Sequence, residues 1–198
     1  MSRALPILFN TEMVRAILDG RKDATRRIVK GFIPDDAVWG YTAFTPKGYI
    51  SCRGTFADGY GEKFFKLPCE PGNILYVRET WKKAPNGYYY YEDWQRNDIA
   101  DVTKWKPSIH TPKEAARIWL KVTDVRVERS QEITIDGIRN EGISSMAVHA
   151  GDMEIALKEW KNLWNSTIKK TDLDSYGWDA NPWVWVIEFE RCEKPEGV

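Results

Sequence analysis

Three short stretches of this chain carry residue types that do chemistry in combination. They are Gly20-Arg21-Lys22-Asp23-Ala24-Thr25-Arg26-Arg27, Arg78-Glu79-Thr80-Trp81 and Asn140-Glu141-Gly142. The first places a lysine three residues ahead of a hydroxyl. A neutral lysine can take the proton of a threonine nucleophile, as in the serine–lysine variants of the catalytic triad. An ordinary lysine, with a pKa of ~10.4, is uncharged in only about one molecule per thousand near neutral pH. A working site must lower that value by roughly 2–3 pH units through desolvation or neighbouring cations. Arg21, Arg26 and Arg27 can supply the cations, and a carboxylate, Glu79 or Glu141, can move a proton or orient the substrate.

Each of these residues also has a plain structural role open to it. Cations just past a helix C-terminus complement the helix dipole. Glu79 can form a buried salt bridge, with Lys22 or with a cation on Arg78's side of the sheet. Glu141 can simply be a surface residue at a helix end. Arg26 and Arg27 read as a phosphate-contacting pair or as a solvated edge. Trp81, Trp105 and Trp119 read as core or as stacking platforms for bases. Substrate or nucleic-acid contacts are further assigned to Arg21, Arg78 and Lys106. His110, in a loop bracketed by prolines, reads as a ligand contact or a solvated side chain.

The elements that must hold these residues follow from periodicity. Residues 11–19 set Met13, Val14, Ile17 and Leu18 on one helical face, with Asn10 or Thr11 as cap and Gly20 as stop. The basic run 21–30 begins where that helix ends. A turn at Glu70-Pro71-Gly72 launches a strand over 73–81, whose alternation places Glu79 among Leu75, Val77 and Trp81. A second strand over 116–128 changes phase between Val122 and Val125, which predicts a bulge near Thr123-Asp124. Thr134 caps a short helix that ends at Glu141 and Gly142, and a longer helix runs over about 152–165. The last strand, over 182–190, sets Trp183, Trp185, Ile187 and Phe189 against Val184 and Val186. Residues 31–70 read as short strands and loops, and 82–112 as a long polar, tyrosine-rich loop or insertion. The expected fold is α+β, one domain, a small mixed β-barrel with flanking helices.

Composition narrows the function. The chain has 198 residues, of which 42% are hydrophobic and 29% charged, so disorder, collagen and coiled coil are excluded. Lys and Arg number 29 and Asp and Glu 29, so net charge alone indicates no polyanion partner. The distribution is uneven: residues 21–30 hold five cations and one acid, whereas residues 171–198 hold seven acids and two cations. Three cysteines without CxxC spacing argue against disulfides and a zinc ribbon, and for a reducing compartment. Two histidines without a metal motif argue against catalytic zinc, and no cofactor is expected. The apolar run 4–9 is too short for a signal sequence and no stretch reaches membrane-span length, so a soluble, cytoplasmic protein is expected.

Taken together, the motifs resemble those of a known family. ILFNTEMVRAILDGRKDATRRIV, PGNILYVRETW, WKPSIHTPKEAARIWLKVTDVRVE, then NEG, LWN and WDANPWVWVIEFE are similar to ASCH-domain proteins, most of all the phage and prophage branch. The resemblance runs from Ile7 to Phe189 and implies a PUA-like β-barrel with a cleft lined by these motifs. Some ASCH proteins are amidohydrolases that remove the acetyl group of acetylcytidine, and others bind RNA or are assigned ribonuclease activity. By that resemblance Thr25 is the nucleophile, Lys22 its activator and Glu141 the proton shuttle. The chain is about twice as long as the compact amidohydrolases and adds Arg78-Glu79-Thr80-Trp81, in which Glu79 could replace Glu141. The expected partner is a nucleoside or nucleic acid, RNA ahead of DNA. The preferred activity is amide hydrolysis at an acylated exocyclic amine, with a non-catalytic nucleic-acid-binding module, or a nuclease, as the alternative.

Overall fold

In chain order the elements are β1 (Ala4–Leu8), α1 (Thr11–Leu18), β2 (Ala24–Ile28), β3 (Val38–Gly40), β4 (Tyr49–Phe56) and β5 (Gly59–Lys66). They continue with β6 (Ile74–Arg78), β7 (Trp81–Ala84), β8 (Gly87–Tyr90), α2 (Tyr91–Arg96) and β9 (Trp119–Arg129). The chain ends through α3 (Ile135–Asn140), α4 (Met146–Ala150), α5 (Met153–Thr167), α6 (Leu173–Tyr176) and β10 (Trp183–Cys192). The computed structural model describes residues 4–96 and 104–196. The protein is mixed α+β.

The main sheet has five strands in the order β1-β6-β9-β10-β2, with β1 parallel to β6 and the other pairs antiparallel. The three strands expected from alternation therefore lie side by side in one sheet. Backbone pairing leaves β1 and β2 as its two edges. The Arg27 guanidinium reaches across them and donates to the Leu8 carbonyl at 2.8 Å. The phase change in β9 is a bulge: Asp124 faces Glu188 and Val122 faces Phe189, so Thr123 is passed over. The extra residue keeps Leu120, Val122 and Val125 on one face, where they bury with Val77, Ile187, Phe9 and helix α1. On the opposite face of β10, Val184 and Val186 pack against α3, α4 and α5 through Ile138, Val148, Trp160 and Trp164.

The caps act as the residue types indicate. Asn10, Thr134 and Asp152 each accept a backbone N–H two to three residues into their helices. Helix α4 is a further element, capped by Ser145, and at five residues it is too short to show a period.

Two segments depart from the expected form. The strand over 73–81 stops at Arg78, because Thr111 Oγ1 donates to the Glu79 carbonyl at 2.7 Å and the chain bends away. Trp81 then opens β7, part of a separate hairpin with β8. Residues 82–112 are thus not one loop: the tyrosine run alternates as β8 and then turns into α2, while residues 97–103 lie outside the described residues. Residues 31–70 build the three-stranded sheet β3-β4-β5, in which β4 and β5 are eight residues each. Trp39 fastens that sheet to the main one, with ring centroids 5.1 Å from Phe65, 5.7 Å from Trp183 and 6.2 Å from Trp185.

Gly142, at φ +96°, ends α3 where a Cβ would lie 2.7 Å from Ala16 Cβ and 3.1 Å from Lys22 Cβ. Gly72, at φ +85°, has open space around it. Gly72→Ala is expected to cost about 1–2 kcal/mol of backbone strain. Gly142→Ala is expected to cost at least about 1 kcal/mol more, from overpacking. Urea unfolding of both variants measures the difference; equal losses would mean that α3 does not close onto α1 in this way.

Candidate active site

The first and third sequence motifs meet. Helix α1 stops at Gly20, in the left-handed region at φ +71°, and the chain turns back so that Lys22 forms an antiparallel bridge with Glu141. The Asp23 N–H donates to the Asn140 carbonyl at 3.0 Å and its carbonyl accepts from Phe189 at 2.8 Å. Arg21 donates to the Gly142 carbonyl at 2.6 Å. These bonds weld the turn after α1 to the end of α3.

Inside this weld Lys22, Thr25 and Glu141 are only 3%, 1% and 4% exposed. Lys22 Nζ lies 2.6 Å from Glu141 Oε2, 3.0 Å from the Glu141 carbonyl and 2.7 Å from the Ala24 carbonyl. An ammonium can donate to all three. A neutral amine can donate to the two carbonyls and accept from a protonated Glu141, so both protonation states fit the contacts. Burial lowers the Lys22 pKa below its ordinary 10.5, Glu141 opposes that shift, and Arg27 and Arg26 reinforce it. The shift is in the direction that the lysine chemistry needs.

Thr25 pairs with Ile187 and Arg27 with Trp185 on β10, so both project to the Ile187 side of the sheet. On that side a 440 Å³ cavity lies between the edge strands, lined by Ile7, Leu8, Arg27, Leu75, Arg78 and Ile187 among others, while Thr25, Lys22 and Glu141 are buried behind its wall and do not line it. Its volume lies in the usual range for small-molecule sites. Among the described residues Thr25 Oγ1 makes no hydrogen bond, and none joins it to Lys22. Phe9 lies beneath both cations, 5.5 Å from Lys22 Nζ and 5.3 Å from the Arg27 guanidinium carbon.

Arg26 points to the other face. It is buried and reaches Glu141 Oε1 at 3.4 Å and Glu128 Oε2 at 3.3 Å, while its Nε has no partner among the described residues. A phosphate contact from Arg26 needs that ion pair to open. Thr25 and Lys22 belong to the buried interior. Alanine at Lys22 strands Glu141, with Arg26 as its remaining ion-pair partner.

Glu79 lies elsewhere. It is buried, as the alternation of β6 requires, and its partner is Arg117, at 2.9 Å from each carboxylate oxygen. Burial raises the Glu79 pKa and Arg117 opposes the shift. Arg117 also holds Asp93 at 2.6 Å and lies 4.1 Å from the Tyr90 ring centroid. Arg78 donates to the Thr111 carbonyl at 3.1 Å. The Arg78-Glu79-Thr80-Trp81 stretch therefore anchors the β7–β8 hairpin, and Glu141, not Glu79, is the carboxylate on Lys22. Arg117 was not singled out in the sequence; pairing β6 with β9 would have drawn attention to it.

Trp81 is buried, with Lys106 Nζ 5.0 Å above its ring, and Trp119 is buried beside Tyr76. Lys106 and His110 are exposed. Burial pushes the Cys52 and Cys69 thiols up to about 11 and about 12, so neither is a ready nucleophile. Among the described residues no cluster of three or more His, Cys, Asp or Glu side chains could hold a metal, and no helix is long and apolar enough to cross a membrane. Compared with family models, curated proteins and solved structures, the chain matches none.

Removing one partner of a buried ion pair is expected to cost about 3–5 kcal/mol, because the other charge is left behind. Lys22→Met and Glu141→Leu should each destabilise on that scale, and the double variant should lose at least about 1 kcal/mol less than the sum. Urea titrations of the four proteins give the coupling. Strict additivity would show that the two side chains do not pair.

Proposed function

We propose that this chain is an ASCH-type protein with a PUA-like barrel that hydrolyses the acyl group from the exocyclic amine of a cytosine nucleoside or related base. The observation that carries the reading is the buried contact of 2.6 Å between Lys22 Nζ and Glu141 Oε2, three residues before Thr25. The resemblance in the sequence named those three residues together, and Lys22 and Glu141 come from segments 119 residues apart.

In this reading Lys22 reacts as a neutral amine, the form that its burial favours. Substrate in the cavity on the Ile187 side reaches Thr25 once the wall beside Ile187 opens, because Thr25 is buried behind that lining. Thr25 Oγ1 attacks the carbonyl carbon as its proton passes to the lone pair of Lys22 Nζ, which turns toward it. The tetrahedral intermediate expels the exocyclic amine, which takes that proton from Lys22 by way of Glu141 as the C–N bond breaks. Water then attacks the acyl-threonine ester and gives a proton to Lys22, and the acid is released as that proton returns to Thr25 Oγ1, which restores the hydroxyl and the neutral amine. Arg27 and Arg78, at the cavity wall, face the polar side of the ligand.

A second reading is supported by one observation: all three contacts of Lys22 Nζ are already satisfied by Ala24 and Glu141. In that case the pair is structural and the cavity binds a nucleoside or nucleic acid without turnover.

Thr25→Val keeps the buried volume while removing the hydroxyl, so it separates catalysis from folding better than alanine does. Acetylcytidine hydrolysis by the purified protein is expected to disappear in Thr25→Val and to survive, reduced, in Thr25→Ser, with wild-type circular dichroism in both. Lys22→Gln is expected to be as inactive as Thr25→Val, and the double variant no worse, since residues acting as one unit lose activity non-additively. Folded wild-type protein that leaves acetylcytidine and related acyl-cytosines intact would move the conclusion to the binding module.

A further inference from the structure

The β7–β8 hairpin has two faces of different character. Trp81, Tyr88 and Tyr90 share one, closed by Lys106, Glu114 and Arg117. Tyr89 pairs with Lys82 on the other, and with Ala84, Trp94 of α2 and Trp105 they line a separate cavity of 220 Å³. Trp94 meets Tyr89 at an interplanar angle of 83° and Trp105 at 67°, so the rings stand as walls of a box instead of stacking flat on one another. All three are half-buried, so their faces are partly open.

Size and charge narrow the occupant. The cavity is half the volume of the 440 Å³ site between the edge strands. It falls below the roughly 300–1,000 Å³ of whole-ligand sites, which fits one ring with the rest of its molecule outside. Lys82 forms part of a wall, which disfavours a cationic guest. Lys83, Lys104 and Lys106 are exposed on the same unit, and among the described residues none of the four lysines is in an ion pair. Among the described residues the carboxylates of the unit are engaged: Asp93 with Arg117, Glu114 with the Tyr88 hydroxyl and Glu92 with Arg15. The unit is also held rigidly. Tyr90 donates to the Ala115 carbonyl at 2.5 Å, and Trp81 and Lys106 exchange backbone hydrogen bonds at 3.2 and 2.9 Å.

We infer that this box takes one unstacked base of a single-stranded nucleic acid, with the flanking phosphates on the lysines. Aromatic walls bind any base through its π face, and only an unpaired base can leave its stack to enter. The site is distinct from the Lys22–Glu141 pair, and its test reads binding alone. A protein inactive on acylcytidine therefore still decides the matter.

The probe is a short fluorescein-labelled RNA of mixed sequence, with the same sequence as single-stranded DNA and as duplex, titrated by anisotropy. Either single strand is expected to bind more tightly than the duplex. Tyr89→Leu, which removes a wall, is expected to raise Kd at least about fivefold, while Tyr89→Phe, which keeps the ring, binds as wild type. Lys82→Gln is expected to lower the slope of log K against log salt by about 0.7. Quenching of tryptophan fluorescence by unlabelled strand reads the box directly in the unmutated protein. Absence of saturable binding to both single strands, wild-type affinity in Tyr89→Leu, or a duplex that binds as tightly as the single strands would overturn the inference.

Discussion

The Lys22 and Glu141 side chains are removed from water together where the turn after α1 meets the end of α3. Taking two charges out of water costs several kcal/mol per ion in real proteins, and short, well-directed contacts must offset it. Here they do so with two backbone carbonyls as well as the carboxylate, all within 3.0 Å of Lys22 Nζ. The constraint spreads outward. Gly142 must be glycine because Ala16 and Lys22 press on it, Arg21 ties down the Gly142 carbonyl, and Asp23 links α3 to β10. Thr25 and Arg27 inherit their direction from this turn, and with it their side of the sheet. The proposed chemistry thus uses the residues that join the helices to the sheet, so substitutions there test folding and activity at once.

Local pattern carried much of the fold. The period of residues 11–19 with Asn10 before and Gly20 after specifies α1, and Thr134 and Gly142 bracket α3 in the same way. The phase change between Val122 and Val125 revealed the bulge at Thr123, since a strand can keep both valines inward only by gaining a residue. The burial of Glu79 followed from the alternation of its neighbours. Its partner did not, because Arg117 is brought to it by the register of β6 on β9, and a single sequence does not state which strands adjoin. The same limit applied to Lys22: residue types left Glu79 and Glu141 equally open, and the resemblance to ASCH proteins favoured Glu141. The direction of the basic run was also hidden, because strand alternation sends Arg26 into the helical layer and Arg27 across the sheet edges.

The aromatic excess divides along physical lines that composition cannot show. Trp160 and Trp164 fill the layer under α5, and Trp39, Trp183 and Trp185 clasp the two sheets together. Tyr89, Trp94 and Trp105 instead wall a cavity, where Trp94 of α2 and Trp105 stand over one face of the β7–β8 hairpin. The Arg117 cluster makes such a hairpin tenable. A bidentate carboxylate pair, a second carboxylate and a stacked tyrosine fix one guanidinium, and through it the hairpin to the start of β9.

The role of Lys22 turns on its protonation, which heteronuclear NMR of the lysine side-chain nitrogens reads directly, with the signal assigned by its loss in Lys22→Arg. Lys22 Nζ should titrate below the ordinary 10.5, because burial disfavours its charge. In Glu141→Gln it should titrate lower still, because the carboxylate that favours the ammonium is gone. A Lys22 that titrates alongside the surface lysines, and is indifferent to Glu141→Gln, would contradict both the buried pair and the chemistry built on it.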